Sequence, residues 1–157
     1  MLVSAFALGL AALAALLLVR NRESLPEKEA QRHTAARALA IAVGVQSVHF
    51  AEEAATGFHQ RFPTLFGLPE MPFSFFVVFN LTWIGIWAAS VQGLRSARPA
   101  AFFAAWFLAI AGMLNGIAHP LLAVAAGGYF PGLASSPFIG GVGAWLWLRL
   151  RGATQAR

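Results

Sequence analysis

From Leu2 to Val19, from Phe73 to Gln92 and from Pro99 to Ala126 the chain carries no Asp, Glu, Lys or Arg. Each run approaches or exceeds the roughly 20 apolar residues that a helix needs to cross a bilayer. Such runs leave few alternatives, because in lipid only helices and closed barrels satisfy every backbone polar group. Composition agrees: 59% of residues are hydrophobic and 11% charged, where soluble domains carry roughly 25% charged residues. The expectation is an all-α integral membrane protein, a single domain over 1–157 built as a bundle of five transmembrane helices. The spans fall at about 2–19, 38–55, 73–92, 99–126 and 133–150. Cysteine is absent, so disulfides and thiolate metal sites are excluded.

The segments between spans read as connectors. Arg20 to Arg37 mixes acids and bases at helical spacing and is expected to be a solvated helix or loop. Phe58 to Pro72 is rich in proline and aromatics, and Gly127 to Gly132 is a turn by composition. Pro99 suits the first turn of a helix. The glycines at 140, 141 and 143 suit close helix packing. The first span has its positive charges after the apolar run, the reverse of a secretory signal, and reads as a retained anchor.

The net charge of +5 reflects span ends and gives no sign of nucleic-acid binding. If loops alternate sides, Arg20, Arg22, Lys28, Arg32, Arg37, Arg95, Arg98, Arg149, Arg151 and Arg157 fall on one face, and Arg61 alone on the other. By the positive-inside rule the N-terminus is outside and the C-terminus cytoplasmic, in a multi-pass protein of the inner membrane.

Against this background the stretch SVHFAEEAATGFH, residues 47–59, places two adjacent carboxylates inside a span. At about 1.5 Å per residue, His49 lies about 18 Å and Glu52 and Glu53 about 23 Å from the cytoplasmic end of span two. Asn115 and His119 lie about 25 and 31 Å along span four, and Asn80 about 12 Å below the outer surface in span three. On a helix Glu52 and Glu53 sit about 60° and 40° to either side of His49, so all three share a face. Asn115 and His119, four apart, share another.

A charged carboxylate at the bilayer centre costs roughly 2.5–3.5 kcal/mol on insertion scales. The remedies are a shared proton, hydrogen bonds to histidine, a water-filled cavity or a bound cation. His49, Glu52, Glu53 and His119 are candidate ligands for a divalent metal ion, zinc or iron. His49, Glu52 and Glu53 are also the candidate catalytic groups, with a spare carboxylate acting as general base beside a mononuclear His2Glu site, the division of labour in HExxH enzymes. Asn80, Asn115, Tyr129 and Trp83 are candidates for substrate contact or support of the ligands. Each has a plainer reading: Asn80 as an interhelical hydrogen bond, Asn115 as a brace of span four, Tyr129 as a belt residue instead of a lid, and Trp83, Trp87 and Trp106 as lipid contacts or interface belt. His33 and His59 fall in connectors and read as solvated.

The motif HFAEE at 49–53, with GF at 57–58, NGIAH at 115–119 and YFPG at 129–132, resembles the HXXEE family of small bacterial integral membrane proteins. The resemblance covers about residues 38–150 and leaves the first anchor outside. It implies site positions at His49, Glu52, Glu53, Asn115 and His119. The family is named for its motif, so no reaction is implied.

Three function classes fit these residues. The first is a metal-dependent membrane enzyme acting on an apolar or lipid-like substrate. A second is a metal-free acid–base isomerase or cyclase of isoprenoid or sterol-like substrates, in which a buried Glu protonates the substrate. A third is a metal, haem or proton binding or transport protein, although no polar path continues into the inner half. The partners expected are the lipid bilayer and an apolar small molecule or lipid, with homo-oligomerisation left open.

Overall fold

The computed structural model describes residues 2–157, with side-chain surroundings from Phe6 onward. Six α-helices account for most of the chain: α1 (Leu2–Asn21), α2 (Glu29–Ala55), α3 (Phe58–Leu65), α4 (Phe73–Arg95), α5 (Pro99–Ala125) and α6 (Ser136–Ala153). Two short strands, β1 (Arg22–Glu23) and β2 (Gln155–Ala156), and a single 3-10 turn at Pro26–Lys28 complete it.

Four long helices form a ring. α2 packs on α4 and α6, α5 packs on the same two, and α2 and α5 stand diagonally opposite with little direct contact. α1 lies against the outer side of α5. Polar groups that meet between α2 and α5 therefore meet inside the bundle. The inward stripe of α2 shows how the sequence achieves this: Ala35, Leu39, Ala42, Gln46, His49 and Glu53, spaced by three or four residues, are all buried.

The α5–α6 contact is made by backbone against backbone. A Cβ on Gly116 would stand 2.7 Å from the Gly140 Cα, and one on Gly143 would stand 2.9 Å from the Ala109 carbonyl. Small residues at these positions let the two helices approach as closely as membrane helices do.

Bundle polarity follows from connectivity. The C-terminal ends of α1, α4 and α6 gather with the N-terminal ends of α2 and α5, and here β1 pairs antiparallel with β2, Arg22 opposite Ala156 and Glu23 opposite Gln155. Arg22 donates to Thr154 Oγ1 at 2.8 Å and to its carbonyl at 2.9 Å, and Ser24 Oγ donates to the Ala153 carbonyl. The opposite end carries α3 and the 126–135 turn.

Several expected boundaries shift. Residues 20–37 are largely solvent-exposed and helical from Glu29, as expected, but they are continuous with α2 instead of separate from it, and Arg32 is buried with Nη1 donating to the Leu25 carbonyl at 2.8 Å. The last helix begins at Ser136 instead of Leu133, with Pro137 in its first turn, and runs to Ala153. The 58–72 connector contains α3, whose Phe62 and Pro63 are buried. His59 is not freely solvated; its ring packs 4.9 Å from that of Phe73.

α4 and α5 are long and apolar enough to cross a membrane. Large apolar side chains are exposed on α1, α2, α4, α5 and α6, among them Phe6, Val48, Val78, Val124 and Phe138.

Candidate metal centre

His49 and Glu53, one turn apart on α2, meet His119 of α5 at the end of the bundle that carries α3. All three are buried, and their ligating atoms lie within 4.8 Å of one another. Glu53 Oε1 is 3.4 Å from His119 Nε2 and 3.7 Å from His49 Nε2. The imidazole rings meet edge to face with centroids 4.8 Å apart.

The surrounding hydrogen bonds fix where the protons are. His119 Nδ1 lies 2.7 Å from the Pro131 carbonyl. A carbonyl only accepts, so Nδ1 carries a proton, and Nε2 is the ring nitrogen turned toward Glu53. His49 Nδ1 lies 2.7 Å from Ser135 Oγ. That hydroxyl gives its one proton to the Glu52 carboxylate, so His49 Nδ1 must donate, and Nε2 is the ring nitrogen that faces Glu53 and Asn115. Two imidazole Nε2 atoms and a carboxylate thus converge in a buried space. Separations of 3.4 and 3.7 Å are long for hydrogen bonds. The 3.4 Å separation equals, and the 3.7 Å separation exceeds, the edge of a tetrahedron whose ligands sit about 2.0–2.1 Å from a central ion, roughly 3.3–3.4 Å.

Glu52 is turned elsewhere. It accepts from Tyr129 Oη at 2.6 Å, from the backbone N–H of Ala134 at 3.0 Å and of Ser135 at 2.8 Å, and from Ser135 Oγ. These donors stand just before the first turn of α6, where a carboxylate is favoured by the positive end of the helix. Glu52 therefore anchors the turn and, through Ser135, orients His49, the outer-shell arrangement usual for metal-bound histidine. Tyr129, part of the turn and 45% exposed, closes over Glu52. Partial desolvation and the hydrogen bond to Glu52 raise its phenol above the usual range.

The turn covers the histidines closely. Gly132 has φ +86°, and a Cβ there would lie 2.5 Å from His119 Cε1 and 3.0 Å from His49 Cε1. Only glycine accommodates both the left-handed backbone and the approach. Phe58 and Phe130 stand beside His119, ring centroids 5.7 and 6.3 Å away. Arg61 of α3 donates to the Tyr129 carbonyl at 3.1 Å and lies over the Phe130 ring.

The residues singled out from the sequence divide accordingly. His49, Glu53 and His119 come together, with Asn115 Nδ2 3.4 Å from His49 Nε2. Glu52 and Tyr129 adjoin the group without entering it. Asn80 bonds the Phe76 carbonyl of its own helix at 2.9 Å, and Trp83 packs on Trp87 and Phe107 in the core. Trp106 is fully buried edge-on to Trp147. Ser135, Pro131 and Gly132 belong to the site yet carry no signal of their own. The Gly- and Pro-rich composition of residues 127–132 and the YFPG motif pointed to the turn that holds Pro131 and Gly132. Comparison of the chain with protein-family models, with characterised proteins and with solved structures finds no match.

Proposed function

We propose that the chain is a five-span protein of the bacterial inner membrane, with its C-terminus in the cytoplasm. In this reading it holds one divalent ion, zinc or iron, at His49, Glu53 and His119 and acts as a metal-dependent enzyme on an apolar or lipid-like molecule. The observation that carries the metal is the convergence of two histidines and the Glu53 carboxylate, all buried, with ligating atoms within 4.8 Å of one another. Two imidazoles and a carboxylate buried together are stabilised by a cation held between them.

Exposed apolar side chains on five of the helices support immersion in lipid, and the collection of basic helix ends at one pole supports the orientation. Membership of the HXXEE family is part of the same reading, carried by the residues already quoted. The apolar collar of Phe58 and Phe130 supports a hydrophobic substrate arriving from the bilayer. A bound ion would act as a Lewis acid and lower the pKa of a coordinated water. The chain's part is to hold the ligands: Ser135 and Pro131 fix the imidazoles, Glu52 fixes Ser135, and Gly132 with its turn excludes bulk water.

Haem fits less well, since Glu53 stands between the two histidines where a porphyrin would lie. The test is metal content of the purified protein. One zinc or iron per chain, lost in His49→Ala and His119→Ala and kept in Glu52→Gln, is the expected result. A wild-type protein that neither contains nor takes up a divalent ion would sink the metal reading and leave acid–base chemistry at Glu53 in its place.

A further inference from the structure

Asn115 lies one turn before His119 on α5, partly buried, with its side-chain nitrogen 3.4 Å from His49 Nε2. In this arrangement the amide N–H faces a lone pair, as it should when no cation intervenes. A cation on that lone pair reverses the requirement. N–H dipoles aimed at a positive ion repel it, whereas the carbonyl end of the same amide attracts it. Half a turn about the last side-chain torsion exchanges the two ends while leaving the amide in place.

We infer that Asn115 is the fourth ligand of the metal centre, binding through Oδ1 after its amide turns over, an assignment that rests on the metal reading above. The distances favour it. Asn115 to His49 at 3.4 Å, Glu53 to His119 at 3.4 Å and Glu53 to His49 at 3.7 Å are three edges of similar length, each near the separation of neighbouring tetrahedral ligands.

Elimination points the same way. Glu52 is held by Tyr129, Ala134 and Ser135. The Ser135 hydroxyl is committed between Glu52 and His49. The backbone of Gly132 closes the side of the turn. Asn115 is the polar side chain that remains at ligand spacing. The resulting set of two imidazole nitrogens, one carboxylate oxygen and one amide oxygen carries a single negative charge. Its neutral oxygen is the weakest donor and therefore the one most easily exchanged.

Cobalt(II) reports this directly, because its visible absorption depends on the number and kind of ligands. The detergent-purified full chain and its Asn115→Ala and Asn115→Asp variants are titrated with cobalt, with helicity checked by circular dichroism. The expected result is an intense four-coordinate spectrum in the wild type, an altered spectrum with affinity reduced by roughly 10- to 100-fold in Asn115→Ala, and a four-coordinate spectrum with tighter binding in Asn115→Asp. The aspartate variant decides the matter even if the alanine variant fails to fold: it supplies an oxygen ligand but no N–H donor, so a role limited to hydrogen bonding His49 would appear as weakened binding. An Asn115→Ala spectrum identical to that of the wild type, or weakened binding by Asn115→Asp, overturns the assignment and leaves the three-ligand centre standing. Failure of the wild type to bind cobalt overturns the three-ligand centre as well.

Discussion

A single peptide bond separates Glu52 from Glu53, and on a helix that step turns two side chains about 100° apart. Glu53 faces inward to the histidines and Glu52 faces the turn before α6. From the sequence both lay within about 60° of His49, so helical geometry left open which acid joins the site. The deciding partners, Tyr129, Ala134 and Ser135, lie 77, 82 and 83 residues beyond Glu52, and residues of these kinds are common in loops that bind nothing. Glu53→Gln is expected to abolish metal binding, whereas Glu52→Gln keeps the ion with affinity lowered by roughly tenfold and a lower melting temperature; equal effects would contradict the division. Tyr129 offers a second check, since it is the one tyrosine in the chain and its ultraviolet titration is unambiguous. Its phenol, raised by desolvation and by Glu52, should ionise above the ordinary value of about 10, and Glu52→Gln should bring it down. The sign for stability follows: the Tyr129–Glu52 bond contributes fully below the pKa of the unfolded phenol and is lost as pH rises through the folded value. Gly132→Ala should cost about 1–2 kcal/mol for the left-handed backbone alone and displace both imidazoles, read out as lost metal binding.

At the scale of helices, length and apolarity were legible because they are compositional: α4 and α5 emerge within three residues of the ranges expected. Less legible was what polar residues do where tertiary contacts capture them. Arg32 reads as a solvated charge and is instead buried against the Leu25 carbonyl, so the polar stretch before α2 folds into that helix. α3 escaped notice because eight residues with a proline inside make too short a periodic signal. The glycine patch did announce close packing, and its partner is the glycine row of α5. Gly116→Ala, with its new Cβ 2.7 Å from the Gly140 Cα, should push α5 from α6 at a cost of about 1–3 kcal/mol, measurable as a lower thermal midpoint in detergent. An unchanged midpoint would mean that the two helices do not meet in this register.

For the molecule as a whole, absence of cysteine turns every introduced thiol into a unique label. With five spans, a cysteine at Ser96 between α4 and α5 should react only with reagents that reach the cytoplasm. One at Thr64 on α3 should react in intact cells with a reagent that cannot cross the inner membrane. The opposite pattern would invert the bundle and place the metal centre near the inner surface, and labelling of both from one side would end the five-span reading. The pairing of β1 with β2 has a consequence for biogenesis. α1 is made before the other helices described, and the strand that follows it finds its partner only when residues 155 and 156 leave the ribosome. A protein truncated before Gln155 would lose the strand pairing and keep α1 in place through its packing on α5 and the bonds of Arg22 and Ser24 to residues 151–154 alone.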